Sequence, residues 1–238
     1  MIVEVVISSG HSLYVRGACG IIDEVVEARR VASKVAELLG ATEYHDNTSR
    51  TQTANINGIV AFHNKQARDL DVSVHFNAAS ATDAARGVEV LYYSDGTKAL
   101  AAKVSAAIAK AGGLKDRGAK KRTDLGFLKR TNKPAILIEV CFVDSKADVT
   151  AYKNNFEAIC EAIAESISGK KAKGVVVAAQ VVAQVKTQAK PQIASVYARE
   201  AQEWVIAQGI SDGSDPFENV TRQQVWAMLH RMATKGAK

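Results

Sequence analysis

Three polar residues stand where apolar runs end, so a fold could bring them together. His11 follows the run 3–7 through Ser8-Ser9-Gly10, His75 closes Val72-Ser73-Val74, and Glu139 closes Ala135-Ile136-Leu137-Ile138. Glu24 opens an amphipathic stretch just after the His11 loop. Two imidazoles and a carboxylate are the three-ligand set of a catalytic zinc, with a fourth position left for water. Plain structural roles also exist for three of the four. A loop histidine can bond its own turn, a core histidine can satisfy a backbone carbonyl, and an acid in a helix's first turn suits the macrodipole. Glu139 is harder to explain in this way. Inside Ile-Leu-Ile-Glu-Val-Cys-Phe, a buried carboxylate without a partner is strongly destabilising. It calls for a metal, a reaction or a cation, and Arg117, Arg122 and Arg130 are close in sequence.

Other chemistries lack their residues. No two of the five histidines lie four apart, so no HExxH helix exists, and there is no GxSxG elbow. Gly113 to Lys120 has the outline of a phosphate loop but not its Gly-Lys-Ser/Thr end. Cys19, Cys141 and Cys160 are odd in number, widely spaced and without a CxxC, which excludes a disulfide framework and a four-cysteine zinc site. Cys141 reads as a packing residue. His45 and His63 sit among polar loop and helix residues, and His230 on the face of a last helix; none reads as a ligand.

The elements that must position these residues alternate. Strands are predicted at 3–7, 72–75, 88–93 and 135–140. Helices are predicted at 24–39, 51–68, 98–111 and 147–167, with Gly40, Gly112-Gly113 and Gly169 as stops. Alternation of this kind predicts an α/β fold with a mainly parallel twisted sheet flanked by helices. In such a sheet the strand ends share one edge, and ligands bind in the crevice there. Three strands would each deliver a His or Glu to that edge.

The chain has 238 residues, 47% hydrophobic and 24% charged, a globular mix. No apolar run reaches the roughly 18 residues of a membrane span, and no basic leader opens the chain, so neither a membrane partner nor an export signal is expected. The net charge of +6 is unevenly spread. Residues 1–169 hold 21 Lys/Arg against 20 Asp/Glu, residues 170–190 hold five Lys and no acid, and residues 191–238 hold five of each sign. A basic face for nucleic acid is therefore not expected. The low-complexity Val/Ala/Gln/Lys tract 170–192 reads as a basic linker, able to approach an anionic surface. Residues 193–238 read as a small helical domain, with a Gly/Ser/Asp/Pro turn cluster between two helices.

Residues 1–169 resemble the zinc-dependent type-3 N-acetylmuramoyl-L-alanine amidases. The likeness runs in order through Ser9-Gly10-His11, Glu24, Ala36-Glu37-Leu38-Leu39, Ser73-Val74-His75-Phe76-Asn77-Ala78, Arg86-Gly87-Val88-Glu89-Val90, Gly113-Leu114-Lys115-Asp116-Arg117-Gly118 and Pro134 to Phe142. The resemblance implies His11, Glu24 and His75 as ligands of one Zn2+ and Glu139 as the catalytic carboxylate. The implied reaction is hydrolysis of the MurNAc–L-alanine amide of peptidoglycan by zinc-activated water. Asn77, Arg117 and the rest of a loop at 115–122 are candidate substrate contacts. The chain departs from the family at Ser12-Leu13-Tyr14, where a glycine-rich turn is usual, and at Cys141, where glycine is usual. Glu27, and after it Asp23, are alternates to Glu24. Residues 194–238 resemble one S-layer-homology-like repeat, through Ala201-Gln202-Glu203-Trp204-Val205, Gly209-Ile210-Ser211-Asp212-Gly213 and Val220-Thr221-Arg222-Gln223-Gln224. That implies a secondary cell-wall polymer as partner and a homo-oligomer formed through the repeat. Together these features point to a phage endolysin that waits in the host cytoplasm until the membrane is opened. A bacterial autolysin or sporulation amidase and a non-catalytic wall-binding protein are the alternatives.

Overall fold

A computed structural model describes residues 3–170; the expected linker and the domain at 193–238 lie outside the described residues, apart from Lys170. Six strands form one sheet: β1 (Val5–Ser9), β2 (Thr42–Tyr44), β3 (Leu70–Asn77), β4 (Val88–Tyr92), β5 (Asp116–Lys121) and β6 (Ala135–Phe142). Six helices accompany them: α1 (Glu24–Leu39), α2 (Gln52–Lys65), α3 (Lys98–Gly112), α4 (Gly126–Arg130), α5 (Lys146–Asn154) and α6 (Phe156–Ser168). The strand order is β2-β1-β3-β6-β4-β5.

The sheet is mixed. β2, β1, β3 and β6 run parallel, but β4 pairs antiparallel with β6, and β5 runs parallel with β4. This corrects the expectation of a loop at 115–122, which is mostly the edge strand β5. Its sequence, Asp-Arg-Gly-Ala-Lys-Lys, is polar throughout, as an edge strand shielded against further pairing tends to be. The reversal puts the starts of β4 and β5 at the same rim as the ends of β1, β3 and β6.

Period-two alternation sorts the side chains between two faces. Val72, Val74, Phe76, Val88, Val90, Ile136 and Ile138 enter one core with Val31 and Val35 of α1, Val104 and Ile108 of α3, and Ile159 and Ile163 of α6. Leu91 and Leu137 point the other way, into a smaller core with Ile59 of α2 and Phe127 and Leu128 of α4. His75, Glu139 and Glu89 share the phase of this second face, beyond the apolar part that α2 and α4 cover.

Two local features depart from a simple reading. The stretch 147–167 is two helices, because Asn155 leaves helical backbone (φ −124°, ψ 24°). Its side chain donates to Ala151 O at 2.9 Å and across to Gly112 O, at the end of α3, at 3.3 Å. In β6 the register slips, with His75 opposite Glu139 but Asn77 opposite Phe142. This bulge turns Cys141 into the main core instead of onto the face of Glu139. Burial also pushes its thiol well above the ordinary value, as suits a packing residue.

Candidate functional site

Each of the residues singled out at the strand ends reaches the same rim. β1 continues past Ser9 through a ladder bond, Gly10 N–H to Val74 O at 3.0 Å, and the next residue is His11. Gly10 is required there: a Cβ would lie 1.8 Å from the His75 ring. α1 begins at Glu24 because Asp23 caps it, accepting from the Val26 N–H. Asp23 is also held by Arg16 at 2.7 Å.

Glu24 is the centre of the cluster. Its Oε1 lies 3.4 Å from His11 Nε2 and 3.0 Å from His75 Nδ1, and it accepts the Phe76 N–H at 3.1 Å. Its Oε2 accepts the Ala18 N–H at 2.6 Å. Burial would raise its pKa, but the bonds and charges of His11 and His75 outweigh burial and hold it well below the usual carboxylate range. The imidazoles sit edge to face with centroids 5.0 Å apart. One ligand atom from each of His11, Glu24 and His75 lies within 4.8 Å of the others. Donors bound tetrahedrally at about 2.0–2.2 Å stand roughly 3.3–3.6 Å apart, so small side-chain shifts would let one ion touch all three. Two imidazoles and one carboxylate match zinc in donor type as well. The residues present therefore fit a zinc ion.

The alternate ligands are otherwise engaged. Glu27 Oε2 accepts from Tyr152 Oη and from Arg30 Nη1, each at 2.7 Å. Asp23 is the helix cap. Among the described residues, neither joins the cluster.

Glu139 lies beside the cluster, opposite His75 on β3 and opposite Glu89 on β4. Its Oε2 is buried and has no hydrogen-bond partner among the described residues. The arginine partner considered from sequence is not there, because Arg117 pairs with Glu89 at 2.7 Å and Arg122 with Asp124 at 2.7 Å. Burial first, then the negative charges of Glu24 and Glu89, raises the Glu139 pKa to about 8, with Arg122 opposing. Positive charge at the neighbouring cluster would favour its carboxylate form.

Asn77 and Arg117 are at the rim and meet on one carboxylate. Asn77 Nδ2 donates to Glu89 Oε1 at 3.0 Å, and Arg117 Nε to Glu89 Oε2 at 2.7 Å. Glu89 received no role from sequence, although an acid between Val88 and Val90 is the same signal that exposed Glu139. Among the described residues, His45 and His63 stay outside the cluster. His45 bonds Ser9 Oγ at 2.8 Å and pairs with Glu43. His63 is fully buried, and its Nδ1 lies 2.8 Å from Asp71 Oδ1.

The chain is 31% identical over 176 residues to an uncharacterised protein of Clostridium perfringens, a match covering 71% of this chain and 52% of that one. It thus spans about half the length of the curated relatives it matches. Among solved structures it is similar to the catalytic domain of the CD27L endolysin, which targets Clostridia difficile, with a TM-score of 0.64, 25% identity, and coverage of 71% of this chain and 98% of that one. It shares the fold of an N-acetylmuramoyl-L-alanine amidase from Clostridium difficile 630, with a TM-score of 0.62, 24% identity, and coverage of 73% and 100%. A family profile described as N-acetylmuramoyl-L-alanine amidase matches residues 5–169, and that span includes every rim residue above. By this match the chain belongs to the N-acetylmuramoyl-L-alanine amidase family, whose members are zinc-dependent hydrolases.

Proposed function

We propose that this chain hydrolyses the amide between N-acetylmuramic acid and L-alanine in peptidoglycan. The observation that carries the reading is Glu139, half-buried and with its buried Oε2 unpartnered among the described residues, directly beside the His11–Glu24–His75 cluster. His11, Glu24 and His75 would hold the zinc. Bound there, zinc would acidify a water and polarise the lactyl carbonyl of the substrate.

The chain's own residues do the rest. Glu24 enters as a carboxylate already held by two backbone N–H groups, so its oxygen is fixed before any ligand arrives. Glu139 takes the proton that the attacking water sheds. As the C–N bond breaks, it passes that proton to the leaving amine of L-alanine. Water adds to the carbonyl carbon, the electron pair of the broken bond goes to nitrogen, and the products are a free lactyl carboxylate and a free amino terminus. With positive charge at the neighbouring ligands Glu139 would stand as a carboxylate, the form that accepts the water's proton.

The test is digestion of purified Gram-positive walls by the full chain. New L-alanine amino termini should appear, and a chelator should stop them. Release of reducing sugars in their place would identify a glycosidase and end the reading.

The biological setting we propose is host lysis by a phage endolysin held in the host cytoplasm until the membrane is breached. Similarity to the CD27L catalytic domain supports it. The fold shared with an amidase of Clostridium difficile 630 suits a bacterial wall enzyme equally in architecture. A holin-like gene beside the coding sequence would favour the phage origin, and its absence with cell-division or sporulation neighbours would favour the bacterial one. Residues 193–238 are proposed to bind a secondary wall polymer and to bring copies of the chain together. Removing them should weaken co-sedimentation with walls and lower the mass seen by light scattering.

A further inference from the structure

A second group of side chains occupies the same rim on the far side of Glu139. Phe142, buried at the end of β6, has two guanidinium groups over its ring, Arg117 at 5.0 Å and Arg86 at 5.4 Å from the centroid. Stacking on an aromatic face is a favoured way of fixing an arginine.

Both arginines are set in place by other contacts. Arg117 is tied through Nε to Glu89, whose second oxygen is held by Asn77. Arg86 donates from Nη2 to Ser80 O at 2.6 Å and Ser80 Oγ at 3.1 Å. Behind them the fully buried Asp148 acts as a clasp. It accepts the Arg86 N–H at 2.9 Å, the Gly87 N–H at 2.8 Å and the Phe142 N–H at 3.2 Å. Gly87 makes the approach to β5 possible. Its φ is +97°, and a Cβ there would lie 1.9 Å from Lys115 O.

The group has one positive charge in excess. Glu89 balances Arg117, whereas Arg86 pairs with no carboxylate among the described residues, and its buried Nε has no partner there either. Two fixed guanidinium groups with spare donors suit a carboxylate.

Position decides which carboxylate. The leaving amine takes its proton from Glu139, so the peptide lies on Glu139's side of the metal ligands, towards β4 and β5. The backbone of Arg117 is two strands from Glu139, roughly 10 Å at about 4.8 Å per strand, but its guanidinium reaches back over β4 and β6 to Glu89 and the Phe142 ring. Two extended residues span roughly 7 Å, and in a γ-linked acidic residue the α-carboxylate sits on the Cα beside the peptide nitrogen, within that span.

We propose that Arg86 and Arg117 form a subsite for the free α-carboxylate of the acidic residue that follows L-alanine in the stem peptide. The proposal rests on the amidase reading and deepens it. It makes the chain sensitive to whether that group in the wall is a carboxylate or a carboxamide.

The zinc-loaded full chain is tested on a matched pair of soluble substrates. One is MurNAc–L-Ala–γ-D-Glu–L-Lys amide, and the other is the same molecule with the α-carboxylate converted to carboxamide. Wild type should favour the carboxylate by roughly tenfold or more in kcat/KM, with the difference mainly in KM. The ratio should fall near one in Arg86→Gln/Arg117→Gln and be partly restored by Arg117→Lys. A within-variant ratio cancels any general loss through Glu89 or Glu139. A wild-type ratio near one, or a ratio that survives in a double variant with a native melting transition, overturns the subsite. Calorimetry with the two peptides lacking MurNAc separates the two claims. If wild type cleaves neither substrate, the amidase reading fails. The subsite then stands if the carboxylate peptide binds better and the double variant abolishes that difference, and falls if the peptides bind alike.

Discussion

Glu24 Oε1 faces both imidazoles while its carboxylate is anchored by the backbone of Ala18 and Phe76. Its position is therefore fixed by the fold, and His11 and His75 close onto it. Replacing His75 by Ala is expected to remove zinc that wild type retains through dialysis, measured by elemental analysis. Glu139→Gln is expected to keep the metal but lower turnover by roughly 10²- to 10⁴-fold, measured on purified walls. His11, His75 and Glu139 stood out in the sequence because each lies at or just past the end of an apolar run, and Glu24 because it opens an amphipathic stretch. Glu24 and Glu27 were not separable there, since both open the same helix. What separates them is Tyr152, 125 positions away from Glu27, whose hydroxyl engages Glu27 Oε2. Arg86 and Asp148 received no role from sequence either, because their meaning lies in what they touch: three backbone N–H groups and one aromatic ring from separate segments.

At the scale of elements, the turn between β2 and α2 is organised by Asp46. Burial would raise its pKa, but hydrogen bonds from Ser49, Asn55 and Thr48 prevail and bring it down to about 2 from the ordinary 3.8. Its contribution to stability is thus complete above about pH 4 and lost as pH falls through about 2. Its neighbour His45 is pushed below 6.5 by burial and the charge of Arg29, against Glu43, so acid works against it too, starting at a higher pH. Amide protection at Thr48 and Ser49 is expected to drop between about pH 4 and pH 2, measured by hydrogen exchange. Asp46→Asn should remove most of that dependence.

Under β3 lies a second polar element. Asp71 is fully buried and bonded to His63, and by two contacts of 2.6 and 2.8 Å to Arg68. Asp71→Asn leaves Arg68 without its counterion and is expected to cost about 3–5 kcal/mol, measured by urea denaturation. Strands and helices with apolar periodicity were readable, and α1, α3 and α6 end on glycine caps, whereas α2 ends at Gln66. β5, the Asn155 break and the β6 bulge were not. The first is a polar edge, and the other two depend on hydrogen bonds and register between segments distant in sequence.

For the whole molecule, the near balance of charge over residues 1–169 leaves recognition to local groups at the rim, not to a charged face. Among the described residues no helix is long and apolar enough to cross a membrane. A fragment ending at residue 170 is expected to fold and keep zinc and turnover on soluble muramyl peptides, since the described core closes on its own helices. It should differ from the full chain mainly in sedimentation with intact walls. The α/β class and its flanking helices followed from alternation, whereas the direction of β4 did not, because pairing direction is set by connections and packing that periodicity does not encode.

That change of direction has a practical consequence. The corner proposed to break the bond draws His11, His75 and Glu139 from strand exits, and the proposed anchor draws Arg86 and Arg117 from strand entries. Selection or engineering could therefore retune the tolerance for a modified wall by altering the entries alone, while the strand exits keep their geometry.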